Sequence, residues 1–143
     1  MNSNKLVSDY IPIPYKTTSG RIHNIFRPHF DLKLSYGSKI SPTISALVDS
    51  GADRNLFPAY LGEIIGIKIK TNKAKIMVGG ISNKITAYKH NLYFYIGSTK
   101  FSTSIDFSYE TNAIILGRKG FFNLFSKVVF QEKKKIIELY PQI

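Results

Sequence analysis

Apolar and polar residues alternate along most of this chain, and no long stretch repeats with the period of a helix. The alternation is clearest over residues 30–36, 92–96 and 101–107. Because successive side chains of a strand point to opposite faces, such runs predict short β-strands with one buried face each. In the third run, Asp106 falls in the polar phase, so we expect it on the exposed face. The pattern favours a mostly β fold of antiparallel strands.

Turn residues mark two hairpins between these strands. Gly97-Ser98-Thr99 separates two alternating runs and is typical of a tight turn. Lys133-Lys134-Lys135 lies between residues 128–131 and 136–140, two segments that are suited to strands. The sequence therefore predicts that each pair of runs forms an antiparallel hairpin.

One or two short helices are also expected. Pro58 suits the first turn of a helix, where its missing N–H needs no partner, and Gly66 can end that helix. A second candidate spans residues 118–125 and carries Phe121, Phe122 and Phe125 on one side. Both segments are near the minimum helix length, so tertiary packing must hold them.

Composition limits the possible functions. A chain of 143 residues fits one domain. The absence of cysteine excludes a disulfide scaffold, a thiol nucleophile and a thiolate metal site. The three histidines show no metal-ligand spacing, and no phosphate-binding glycine loop occurs, so we expect no metal and no cofactor. No run of about 20 apolar residues and no apolar leader occurs, so the expected location is the cytoplasm, without a membrane partner.

The net charge of +11 permits a nucleic-acid partner but does not favour one. Only four of the 20 basic residues are arginine, and a lysine-rich, isoleucine-rich composition also arises from base-composition bias. A basic nucleic-acid-binding protein is kept as an alternative function.

The segment Ala46-Leu47-Val48-Asp49-Ser50-Gly51-Ala52-Asp53 is the most informative stretch. An apolar strand leads directly into a carboxylate, followed by a hydroxyl residue, a glycine that allows close backbone approach, and a small alanine. Asp-Ser-Gly is also a common turn sequence, so the motif alone does not establish a site. Two further features accompany it: the glycine pair in residues 77–83, and the apolar strand of residues 113–116 that ends in Gly117-Arg118.

Taken together, these three features resemble the retroviral-type (retropepsin-like) aspartic proteases, especially the bacterial and retroelement branches. The resemblance covers roughly residues 34–130. It implies a closed antiparallel barrel with a flap hairpin over residues 29–143, preceded by an N-terminal extended segment, residues 1–28. It also implies hydrolysis of peptide bonds by two aspartates, one from each subunit. The roles it implies are catalysis by Asp49, an active-site loop of Ser50, Gly51, Ala52 and Asp53, a flap of Val78, Gly79, Gly80 and Ile81, and a groove wall at Ile115.

Two structural expectations follow from this resemblance. Arg118 matches the arginine that, in the family, pairs with an aspartate at the position of Asp53. A bidentate ion pair would compensate a buried carboxylate at that position.

The chain holds a single Asp-Ser-Gly and no Asp-Thr-Gly, so a catalytic pair requires a homodimer with Asp49 at the two-fold axis. The expected partners are a second copy and a protein or peptide substrate. The other alternative is a protease-like binding or dimerisation module without catalysis.

Overall fold

The computed structural model describes residues 5–79 and 83–142, and it is mostly β. The predicted residues Gly80 and Ile81 lie outside the described part. The elements, in chain order, are β1 (Leu6–Asp9), β2 (Ile11–Lys16), β3 (Ile22–Arg27), β4 (His29–Tyr36), β5 (Lys39–Ile40), β6 (Ile44–Val48), β7 (Leu56–Pro58), α1 (Ala59–Glu63), β8 (Lys75–Gly79), β9 (Lys84–Ile96), β10 (Thr99–Ser108), β11 (Ile115–Leu116), a 3₁₀ helix (Phe122–Leu124), β12 (Phe125–Gln131) and β13 (Ile136–Pro141).

Six strands close into a barrel. Around the ring, β4 pairs with β6, then β11, β7, β10 and β9 follow, and β9 returns to β4. The expectation of an antiparallel barrel is wrong for two of these pairs, because β6–β11 and β7–β10 are parallel. β11 inserts between β6 and β7, two strands that are close in sequence, and it is parallel to β6 and antiparallel to β7. This insertion brings the ends of β6 and β11 to the same side of the barrel.

The barrel interior is filled by the apolar phase of the alternating strands. Leu34 and Phe94 are cross-strand partners where β4 meets β9, and both are almost fully buried. The Phe94 ring stacks on Phe101, with 4.9 Å between ring centroids. The hairpin turn predicted around Gly97 joins β9 to β10, and the turn at residues 133–135 joins β12 to β13. Alternation therefore predicted the core side of these strands.

The first predicted helix forms, and the second does not. Pro58 precedes α1 and Gly66 follows it with a φ of +90°. Residues 118–125 form turns and the 3₁₀ helix instead, because Gly120 adopts a φ of +108° that no helix contains. Phe121 and Phe125 are still buried.

The segment before residue 29 divides into two parts. β1 pairs with β13 and extends the β12–β13 hairpin into a three-stranded sheet. Tyr10 is buried in the core, and its N–H donates to the Lys135 carbonyl at 2.8 Å. β2 and β3 then form a separate two-stranded hairpin.

Candidate active site

Asp49 follows β6 directly and is held in a tight turn. Its N–H donates to the Leu116 carbonyl at 3.0 Å, and its carbonyl accepts the Ala52 N–H at 3.1 Å. The Gly51 N–H donates to Asp49 Oδ1 at 2.9 Å. These bonds fix both the main chain and the carboxylate of Asp49, which is half-buried while Ser50 and Gly51 are exposed. The turn therefore presents one oriented carboxylate at the end of a barrel strand.

The neighbouring loop after β11 supports this turn through the main chain. Because β6 and β11 are parallel, the loops that follow them emerge side by side. The Arg118 N–H donates to the Ala52 carbonyl at 2.9 Å, and the Lys119 N–H donates to the Asp53 carbonyl at 2.8 Å. Residues 52–53 and 118–119 are thus joined by backbone hydrogen bonds.

The predicted ion pair between Asp53 and Arg118 is wrong. Both side chains are exposed, and the ion pairs found in residues 5–79 and 83–142 are Arg54–Asp106 and Lys5–Glu138. The backbone pairing brings the Asp53 and Arg118 segments together but leaves their side chains in solvent. An exposed carboxylate needs no compensating partner, so the physical reason for the expected pair does not apply.

The buried ion pair of this region involves the next residue, Arg54. Its Nε lies 2.7 Å from Asp106 Oδ2, and its Nη2 donates to Asp106 Oδ1 at 2.8 Å. The expectation that Asp106 lies on an exposed face is wrong, since the residue is 2% exposed. Burial raises the pKa of the Asp106 carboxyl above its ordinary value, while Arg54 and Lys89 act in the opposite direction. The fork geometry of Arg54 suits this paired carboxylate.

Asn55 is a buried polar residue that sequence reasoning missed. Its Oδ1 accepts the Gly117 N–H at 2.9 Å, and its Nδ2 donates to the Ser104 carbonyl at 3.1 Å and to Thr103 Oγ1 at 3.2 Å. Asn55 therefore connects the loop after β11 to β10. Its partners are 48 to 62 residues away in the chain, so no local sequence signal indicates the network.

Two glycines are required by close contacts around the aspartate loop. A Cβ at Gly117 would lie 2.4–2.7 Å from backbone atoms of Arg54, a distance that atoms cannot adopt. A Cβ at Gly51 would lie 3.2 Å from Asp49 Oδ1, so it would press on the carboxylate itself. Gly117 is thus needed for loop packing, whereas a side chain at residue 51 would shift the Asp49 carboxylate slightly.

A cleft of about 840 Å³ begins at the aspartate loop. One wall is formed by residues 51–54, and the opposite wall by the hairpin of β8 and β9. Most of the predicted loop, flap and groove residues that the structure describes lie along it: Gly51, Ala52, Asp53, Val78, Gly79 and Ile115. Arg54 and Asp106 also line the cleft. The lining combines apolar side chains with one buried ion pair.

Asp49 and Ser50 line a second hollow at the other side of the same loop. The hollow measures about 330 Å³ and is also lined by Arg27, Pro28 and Phe130. The aspartate loop therefore separates two depressions: Gly51 and the residues after it border the cleft, and Asp49 borders the hollow. A group that approaches Asp49 through the hollow would also contact the end of β3.

Residues 5–79 and 83–142 contain no cluster of three or more His, Cys, Asp or Glu side chains that could hold a metal ion. The helices of this part of the chain are too short to cross a membrane.

No protein-family model matches the sequence, and no curated protein shows significant similarity to it.

Proposed function

We propose that this protein is an aspartic endopeptidase whose catalytic pair consists of Asp49 from each of two copies. The observation that carries the proposal is the Asp49 turn, which holds a carboxylate at a barrel end between a cleft and an open hollow. The sequence supplies one Asp-Ser-Gly per chain. A second copy that docks at the hollow supplies the second carboxylate.

The chemistry follows from the proximity of two carboxyl groups. In aspartic proteases as a class, two carboxylates about 3 Å apart share one proton, because both cannot ionise at that distance. The ionised group takes a proton from water, and the protonated group polarises the scissile carbonyl. Because one group must be ionised and the other protonated, activity is expected to follow a bell-shaped pH profile with its maximum on the acid side of neutrality.

The cleft is suited to an extended peptide. β8 forms the outer strand of its sheet, so its free edge offers backbone hydrogen-bonding groups beside the cleft. Leu56, Val78 and Ile115 provide apolar contacts for side chains near the cleavage point. We therefore propose an unfolded protein or a flexible peptide segment as the substrate.

The test replaces Asp49 in the full-length chain. Asp49→Asn keeps the shape of the side chain and its acceptor for the Gly51 N–H, but it cannot share a proton. We expect the variant to remain folded and to lose at least about 100-fold of the cleavage rate on an unfolded protein substrate between pH 4 and 7. Asp31→Asn is the matched control, because Asp31 is an exposed aspartate on β4.

Mixing experiments test the shared pair directly. Asp49→Asn protein is allowed to exchange subunits with wild type at a fixed total protein concentration. The total activity should then fall with the square of the wild-type fraction, because each mixed dimer lacks one carboxylate. Activity that falls only linearly would contradict a shared pair. A folded wild-type dimer without cleavage at any pH would favour the binding module, and salt-sensitive nucleic-acid affinity as the only activity would favour the basic binder.

A further inference from the structure

One face of the β2–β3 hairpin is exposed along its whole length. Residues paired across an antiparallel ladder share a face, and successive pairs alternate between the two faces. All six residues of this face are exposed, with Ile22 at 73% and Phe26 at 40%. We call it the open hairpin face, and it consists of the pairs Pro12–Phe26, Pro14–Asn24 and Lys16–Ile22.

The opposite face of the hairpin is partly covered by the rest of the protein. It carries Ile11 and Ile13, which are both half-buried, and Arg27, which lines the hollow beside Asp49. The open hairpin face is therefore distinct from the surface at which a second copy is proposed to dock.

The open hairpin face is apolar and has basic residues around it. Four of its six side chains are apolar, and none is acidic. Residues 10–30 contain three basic residues and no aspartate or glutamate. The turn between β12 and β13 adds a lysine triplet, residues 133–135, and Lys135 Nζ lies 5.2 Å from the centre of the Phe26 ring.

Two carboxylates lie close to these segments in the sequence. Asp9 is exposed at the end of β1, and Glu132 Oε1 accepts a hydrogen bond from the Tyr10 hydroxyl at 3.4 Å. Against these two carboxylates stand six basic side chains: Lys16, Arg21, Arg27, Lys133, Lys134 and Lys135. The region therefore keeps an excess of positive charge around an exposed apolar face.

This combination favours an anionic lipid surface over two other occupants. A second copy on the same face would bring Lys16 and Lys135 of both copies together, and like charges repel. A nucleic acid supplies phosphates, but aliphatic side chains such as Ile22 give its bases no ring on which to stack. A bilayer supplies anionic headgroups for the basic residues and acyl chains for the apolar residues.

We propose that the open hairpin face binds the surface of a bilayer that contains anionic lipid. Ile22 and Phe26 enter the boundary between headgroups and acyl chains, and Lys16, Arg21 and Lys135 contact the headgroups. This departs from the expectation of no membrane partner, which considered only a segment long enough to span a membrane. A surface contact needs no such segment.

Vesicle binding tests the apolar part of this surface. The probe is a phosphatidylcholine vesicle with or without about 30% phosphatidylserine, and co-sedimentation measures the bound fraction of the full-length chain. We expect wild type to bind the vesicles with phosphatidylserine, and Ile22→Ser to weaken this binding about tenfold because it removes an apolar side chain from the bilayer. Ile40→Ser is the matched control, since Ile40 is 59% exposed on β5, and it should leave binding unchanged.

Charge substitutions test the basic part. Lys16→Gln should weaken binding about fivefold, the contribution expected from one basic residue near an anionic surface. Lys33→Gln is the control, because Lys33 is an exposed lysine on β4, and it should change binding little. Equal losses in the two lysine variants, or equal binding by Ile22→Ser and Ile40→Ser, would show that the net charge of +11 attracts the vesicle without a defined face and would overturn the proposal.

Fluorescence provides a second test that does not depend on affinity. The chain has no tryptophan, so Ile22→Trp introduces a single reporter. We expect its emission to shift to shorter wavelength when vesicles with phosphatidylserine are added, because the indole leaves water, and the emission of Ile40→Trp to stay unchanged. An unchanged spectrum for Ile22→Trp while the protein sediments with the vesicles would show that this face stays in water and would overturn the proposal.

Two further outcomes would also overturn it. The first is a wild type that binds no vesicle of either composition. The second is affinity for a single-stranded oligonucleotide that Lys16→Gln weakens, without vesicle binding, which would assign the face to nucleic acid. Circular dichroism confirms that each variant folds. Vesicle binding is measured without a cleavage assay, so its outcome is independent of the proposed aspartic pair.

Discussion

Arg54 binds Asp106 through two nitrogen atoms, at 2.7 and 2.8 Å, on the floor of the cleft. The Asp106 side chain is 3% exposed and the Arg54 side chain is 34% exposed, so Asp106 is buried and Arg54 reaches solvent. The carboxylate is therefore the partner that depends most on the interaction. Substituting Arg54 and substituting Asp106 should therefore change the free energy of unfolding by different amounts.

Arg54→Met should destabilise the fold more than Asp106→Asn. Removing the guanidinium leaves a buried carboxylate without its cation, and such losses cost about 3 kcal/mol, reduced here toward about 2 kcal/mol because Arg54 is partly solvated. Asp106→Asn removes the buried charge itself and leaves an arginine that reaches solvent. Urea unfolding at neutral pH measures both free energies. Arg118→Met is the control for an exposed arginine, with a change within about 0.5 kcal/mol; a reversed order of the first two variants would contradict the argument.

The pH dependence of stability should also reveal Asp106. Burial raises the pKa of this carboxyl above the ordinary value of 3.8, so the folded state holds its proton more tightly than the unfolded state does. The stabilisation from this group is complete below pH 3.8 and is lost as the pH rises through the raised folded pKa. The unfolding free energy of wild type minus that of Asp106→Asn should therefore fall as the pH rises above 3.8. Unfolding curves of both proteins at several pH values above 3.8 test the direction of this change. A difference in unfolding free energy that rises with pH would refute the prediction.

Asn55→Ala should destabilise the protein, because it removes the partners of buried polar groups. The change leaves the Gly117 N–H and the Ser104 carbonyl without their side-chain partners in a buried region, at about 1–3 kcal/mol for each unsatisfied group. We expect a loss of roughly 2–6 kcal/mol in the unfolding free energy. Asn123→Ala is a control, because the Asn123 side chain accepts the Gly120 N–H from an exposed position. Equal small losses in both variants would show that water replaces the Asn55 hydrogen bonds.

Gly51→Ala should reduce activity more than stability if the proposed function is correct. The new methyl group would lie 3.2 Å from Asp49 Oδ1 and displace the carboxylate by a few tenths of an ångström. Displacements of about 1 Å can cost about 100-fold in rate, so we expect a loss of roughly tenfold in kcat. Gly117→Ala provides the contrast, since its methyl group meets backbone and should lower the melting temperature first. Unchanged kcat in Gly51→Ala would show that Oδ1 does not need its present position.

Local patterns predicted the parts of this fold that local physics determines. Alternation over residues 30–36 and 92–96 gave the buried sides of β4 and β9, and Gly97 gave the turn after β9. Asp106 shows the limit of the method. Period two distinguishes the two faces of a strand, but it does not reveal that both faces of β10 are buried over residues 105–108.

The candidate site was predictable as a set of segments, but its electrostatics were not. The Asp-Ser-Gly turn, the strand before Gly117 and the hairpin at residues 77–79 do meet around one cleft. The sequence predicts an ion pair between Asp53 and Arg118. The buried ion pair of the structure instead involves the residue after Asp53, Arg54, which binds Asp106. The parallel pairing of β11 with β6 joins segments about 68 residues apart, and no local pattern contains such a contact.

That parallel pairing also determines the order of assembly. The Asp49 N–H finds its acceptor at Leu116, 67 residues further along the chain, so this hydrogen bond cannot form on a ribosome before Leu116 has been synthesised. Long-range closure of this kind forms late in folding, after the local hairpins. A nascent or truncated chain that lacks Leu116 consequently lacks the hydrogen bond that fixes the main chain at Asp49.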